Sequence, residues 1–89
     1  MNNRKSPGVY PKKLSVKLYP DFSDRLKIAM EIRGYSTTKL SETIHTAPST
    51  IAMYRSGKRM PSIDILCLIS KELDVSTDFL LGLRDFIYT

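Results

Sequence analysis

One cysteine, one histidine and no tryptophan among 89 residues leave this chain short of parts for several kinds of chemistry. A lone thiol, Cys67, closes no internal disulfide, and His45 stands apart from it, so no metal-ligand spacing exists. No apolar run approaches the roughly 18–20 residues that a membrane span needs. The basic start, MNNRKSPGVYPKK, has no apolar stretch behind it and does not read as a secretory signal. There is no phosphate-binding loop, no GxGxxG, no nucleophile–base set and no evident cluster of carboxylates, which argues against an enzyme. Cys67, set among Leu66, Leu68 and Ile69, reads as a small core residue rather than a nucleophile. The expectation is a cytoplasmic protein without metal or cofactor, and with no small-molecule substrate evident.

Acid is missing from two stretches. Residues 1–20 carry Arg4, Lys5, Lys12, Lys13 and Lys17 and no acid, which accounts for the whole net charge of +5. Residues 21–89 hold nine basic and nine acidic side chains and are neutral. Between Glu42 and Asp64 there is again no acid, while Arg55, Lys58 and Arg59 lie there. A basic arm and a basic patch point to a polyanion partner.

What is present is a series of short, punctuated elements. Residues 12–19 alternate, with Leu14, Val16 and Leu18 on one side and Ser15, Lys17 and Tyr19 on the other, the period of a half-buried strand; Pro20 ends it. Asp21 or Ser23 can cap a first helix to about Arg33, with Phe22, Leu26 and Ala29 inward and Gly34 past its end. Ser36 caps a second, 37–44, with Leu40 and Ile44 inward. His45-Thr46 forms the turn. Pro48 suits the first turn of a third helix, whose Ile51 and Tyr54 face inward before Gly57. Ser62 caps a fourth helix to about Leu73, with Ile63, Leu66, Ile69, Ser70 and Leu73 inward. Ser76 caps a fifth, 77–81, ended by Gly82. The ending LRDFIYT has no legible fate. The division is a basic arm 1–20, a helical domain 21–82 and a tail 83–89.

Leu40, Ile44, Ser49-Thr50-Ile51, Tyr54, Gly57-Lys58-Arg59, Pro61-Ser62, Val75-Ser76 and Asp78 to Gly82 fall in an order that resembles the Cro and cI repressor-like (lambda-repressor-like) helix-turn-helix family. The resemblance covers residues 22–82. It implies an all-α, compact five-helix domain, here behind an arm that is partly extended. It also implies a sequence-selective transcriptional regulator of prokaryotic or phage type, bound to double-stranded DNA and acting as a homodimer. The third helix, 48–56, would enter the major groove with Pro48, Ser49, Thr50, Ala52 and Met53, while Thr37, Lys58 and Arg59 would hold phosphates. Independently of the family, a helix N-terminus suits phosphate and cations beyond the helix add charge that positions the protein.

The departures are informative. Family members often read bases with Gln, Arg, Asn or Lys, whereas of Pro48, Ser49, Ala52 and Met53 here only Ser49 has a hydrogen-bonding side chain, with Ala52 and Met53 suited to a thymine methyl. Specificity would then lean on DNA shape or on the arm. The turn commonly has glycine where His45 stands, so a strained or reshaped turn is expected there. Many members pair an Arg late in the first helix with a Glu near the end of the third; here the two positions are Met30 and Arg55. Arg55 is thereby open to a phosphate, or to Glu31 or another acid of the first helix. Ile28 and Ile32, and likewise Ile65 and Leu68, are apolar where charge is usual. The strand of Leu14, Val16 and Leu18 could cover them, or they could form an interface between two copies. They are also what favours the alternative, a protein-interaction or antitoxin-like module on the same fold with a separate protein partner.

Overall fold

The structure, a computed structural model, describes residues 22–89. The expected strand at 12–19, the arm cations and the Asp21 cap lie outside the described residues. Five helices follow: α1 (Phe22–Arg33), α2 (Thr37–Thr43), α3 (Pro48–Ser56), α4 (Ile63–Leu73) and α5 (Thr77–Leu80). The expected bounds agree within a residue, because three starts carry a serine cap, α3 starts at a proline, and each end is followed by a turn residue. Ser36, Ser62 and Ser76 accept the amides of Lys39, Ile65 and Phe79 through their side chains. Each bond satisfies an amide that the helix itself leaves unpaired.

The helix ends share one device. A residue in the left-handed region follows each helix: Gly34, His45, Gly57, Asp74 and Gly82. In each case the next amide reaches back six residues inclusive: Tyr35 to Met30, Thr46 to Ser41, Lys58 to Met53, Val75 to Ser70 and Leu83 to Asp78, at 2.8–3.1 Å. This is the Schellman arrangement, and glycine accepts its backbone without a Cβ clash. His45 (φ 58°) and Asp74 (φ 54°) hold it against that clash. His45 thus bears out the expected strained turn, while the identical role of Asp74 was not foreseen.

Phe22, Leu26, Ala29, Met30, Leu40, Ile44, Ile51, Tyr54, Ile69, Leu73, Val75, Phe79 and Leu80 form one core. At about 1.5–3 kcal/mol for each large apolar side chain removed from water, this cluster is the main force ordering the short helices. Two inward assignments and one cap are corrected. Ile63 is 78% exposed, since it stands at the first position of α4, beyond the reach of the core. Cys67 is exposed, one turn further along that same outer face. Ser23 is not a cap but lies buried within the first turn of α1.

The ending does have a place. The Ser76 amide donates to the Ile87 carbonyl (2.7 Å), and Ile87 packs against the core. Arg25, near the start of α1, donates to the carbonyls of Phe79 (3.2 Å) and Arg84 (2.8 Å) and pairs with Asp85 (2.8 Å). Arg33, at the end of α1, donates to the Asp74 carbonyl and lies 5.1 Å from the Tyr88 ring centroid. The eight residues between the two arginines rise about 12 Å along the helix. The four steps from Arg84 to Tyr88 span about 13 Å when extended. The tail is therefore a strap that runs along α1 from Arg25 to Arg33.

Candidate DNA-binding surface

α3 is held at the surface by its own pattern. Ile51 and Tyr54 are buried, and α1 and α2 pack against that side. At 100° per residue the opposite side gathers Pro48, Ser49, Ala52, Met53 and Ser56 within about 140°. Pro48, Ser49, Ala52 and Ser56 are exposed and Met53 is half-buried. Ser56 was missed by the sequence reading, although its spacing of four from Ala52 and seven from Ser49 puts it on this face. Its hydroxyl donates to the Met53 carbonyl (3.1 Å). Thr50 stands about 100° round from Ser49 and is half-buried on the flank, so it is not brought onto the same face.

The charge lies at the edges. Arg55 Nη1 donates to Thr37 Oγ1 at 2.8 Å, in a partly buried contact. This joins the last turn of α3 to the first turn of α2 and brings together two of the predicted phosphate contacts. No ion pair with Glu31 forms among the described residues; Glu31 lies on the exposed face of α1. Met30, at the other altered position of the family pair, is buried, so no charge is stranded there. Lys58 and Arg59 are exposed just past the α3 end. Lys39, also unpredicted, is exposed on α2 with its ammonium 4.4 Å from the Tyr35 ring centroid. From residue 37 to 60 four cations (Lys39, Arg55, Lys58, Arg59) face one acid, Glu42.

Tyr35 donates to Glu72 Oε2 at 2.6 Å, and this bond first, then desolvation and the carboxylate charge, raise the phenol above its ordinary value of 10.0. It ties the link before α2 to α4 and so steadies the α2 entry. No group of three or more His, Cys, Asp or Glu fit to hold a metal occurs among the described residues. Among the described residues no helix is long and apolar enough to cross a membrane.

An exposed helix docked by a shorter one across a tight turn, with cations at its rim, defines a helix-turn-helix domain. The helix-turn-helix family model HTH_3 matches residues 26–80, and the chain belongs to that family. It is 35% identical over 60 residues to the SPbeta prophage-derived uncharacterized HTH-type transcriptional regulator YonR of Bacillus subtilis (strain 168), a match covering 67% of this chain and 56% of that protein. It is 30% identical over 64 residues to the uncharacterized HTH-type transcriptional regulator YobD of the same organism, covering 72% and 57%. The crystal structure of a transcriptional regulator from Listeria innocua superposes with a TM-score of 0.63 at 26% identity, covering 68% of this chain and 57% of that one. The chain thus spans rather more than half the length of the curated relatives it matches.

Proposed function

We propose that this protein is a cytoplasmic transcriptional regulator that binds double-stranded DNA with α3 in the major groove. The observation that carries the reading is the outer face of α3. It is acid-free, lined by small side chains that let the helix approach the bases closely, and rimmed by Arg55 with Thr37 on one side and Lys58 and Arg59 at its exit. The rim cations hold phosphates, and the start of α2 offers its free amides to another. Ser49 and Ser56 supply hydroxyls, Ala52 and Met53 meet thymine methyls, and groove shape supplies further selectivity.

A single domain reads few base pairs, so the protein acts as a homodimer on half-sites about one DNA turn apart. The contact lies on the outer face of α4, where Leu68 (44% exposed) and Ile63 flank the exposed Cys67. Ile65, also a sequence candidate for an interface, is half-buried against the core and contributes less.

Anisotropy titration of the purified chain against the DNA upstream of its own gene and a scrambled duplex, at two salt concentrations, tests the reading. Preference for the upstream DNA that persists at higher salt is expected. Equal binding that collapses with salt leaves only the electrostatic contribution. It would move the assignment to a protein-interaction or antitoxin-like module, the reading that the exposed Ile28, Ile32, Phe86 and Tyr88 favour.

A further inference from the structure

The outer face of α3 carries neither an amide side chain nor a charge. Pro48, Ser49, Ala52 and Ser56 are exposed there and Met53 is half-buried. The one cation of the helix, Arg55, is held at its flank by the 2.8 Å bond to Thr37. The face therefore lacks the fixed pair of polar atoms with which Arg reads guanine, or Asn and Gln read adenine. Its two hydroxyls discriminate poorly. A hydroxyl both donates and accepts, so Ser49 can donate to a keto oxygen or accept from an amino group. Ser56 commits its proton to the Met53 carbonyl at 3.1 Å, and its lone pairs can accept from whichever base of a pair carries the amino group. What remains is apolar: the Ala52 methyl and, one residue on, the flexible, polarisable thioether of Met53.

Resting on the placement of α3 in the major groove proposed above, we infer that this protein reads the C5 methyl of a pyrimidine and not the exocyclic group beside it, so that DNA carrying 5-methylcytosine is a ligand in place of thymine. The two bases present the same methyl in the major groove. They differ next to it, thymine in a keto oxygen and 5-methylcytosine in an amino group, and in the purine opposite. Separating them requires a donor or an acceptor of fixed sense, and the Ser49 hydroxyl is neither. Uracil and unmodified cytosine lack the methyl, and opposite them Ala52 and Met53 have no apolar group to cover. One methyl taken out of water is worth about a fourfold change in affinity. Cytosine methylation thus creates sites in sequences that the protein otherwise passes over, and couples its binding to the modification state of the DNA.

The full chain first selects its preferred duplex from a random-sequence pool. Each thymine of the selected site is then replaced in turn by uracil, by cytosine and by 5-methylcytosine, with adenine or guanine opposite, and anisotropy reads the affinities. At one or more positions thymine should bind about fourfold more tightly than uracil, and 5-methylcytosine more tightly than cytosine by the same factor. Both ratios should fall to about one in Met53→Ala or in Ala52→Gly, according to which residue meets that position, with circular dichroism checking that each variant stays helical. Equal affinity for thymine and uracil throughout, or for cytosine and 5-methylcytosine, would overturn the inference while leaving DNA binding by α3 intact. So would ratios that persist in both variants, since the methyl would then act through the stiffness of the duplex. If no duplex is preferred over the pool, base reading by α3 falls, and methyl reading falls with it.

Discussion

Arg55→Ala removes two things at once, a charge at the rim of the DNA surface and a 2.8 Å bond to Thr37 that joins α3 to α2. The bond is partly buried and its acceptor is a neutral hydroxyl, so its loss costs about 0.5–1.5 kcal/mol of stability. Thr37→Ala breaks the same bond and leaves the charge in place, so its stability loss should be similar. On DNA the two part company. If the guanidinium neutralises one phosphate, Arg55→Ala lowers the slope of log affinity against log salt by about 0.9. Over a fourfold rise in salt that is about a 3.5-fold smaller loss of affinity than the parent suffers. Thr37→Ala keeps the parent slope, and so does Arg55→Lys. Anisotropy titrations at four salt concentrations read the slopes, and thermal unfolding reads the stability. An unchanged slope in Arg55→Ala, with affinity lowered equally in Thr37→Ala, would refute the phosphate role and leave Arg55 as a brace between helices.

Three further predictions concern the scaffold. His45→Gly relieves a left-handed residue with no described side-chain bond and should stabilise by about 1 kcal/mol, raising Tm by about 4–8 °C in calorimetry. Tyr35→Phe should destabilise near neutral pH. Because the folded phenol titrates above 10.0, its stabilising contribution is fully present below the unfolded pKa and fades as pH rises through the folded one. The parent should therefore lose stability above pH 10 more steeply than Tyr35→Phe does, as read by denaturant unfolding across that range. Arg25→Ala should release the strap. Its carbonyl bonds are worth about 1–2 kcal/mol together, with little added by the exposed Asp85. Exchange of the Ser76 amide, which depends on the Ile87 carbonyl, should accelerate.

Local chemistry made most of the helix bounds legible. A serine before a helix and a glycine after it act within one turn, so their positions alone mark Ser36, Ser62, Gly34 and Gly57. The α3 surface was legible for the same reason, since Ile51 and Tyr54 fix its inward side and leave Ser49, Ala52 and Met53 outward. Ser56 was missed because it sits beside the glycine stop, where it read as an ending rather than as the next position of the face. Asp74 went unnoticed because a left-handed aspartate leaves no mark in composition. Cys67 and Ile63 were misplaced for a different reason: α4 is apolar over more of its circumference than its neighbours can cover, so periodicity could not say which side faces in.

The sequence by itself determined five helices, their order and the face that α3 turns outward, because these follow from forces acting over three or four residues. Only the tertiary structure decided what the altered pair at Met30 and Arg55 does, and where the last residues go. Arg55 meets Thr37, 18 positions away, and Arg25 meets Arg84, 59 positions away. No local pattern encodes such contacts. They exist because packing the core brings distant backbone within hydrogen-bond reach, where an unpaired carbonyl or amide must find a partner.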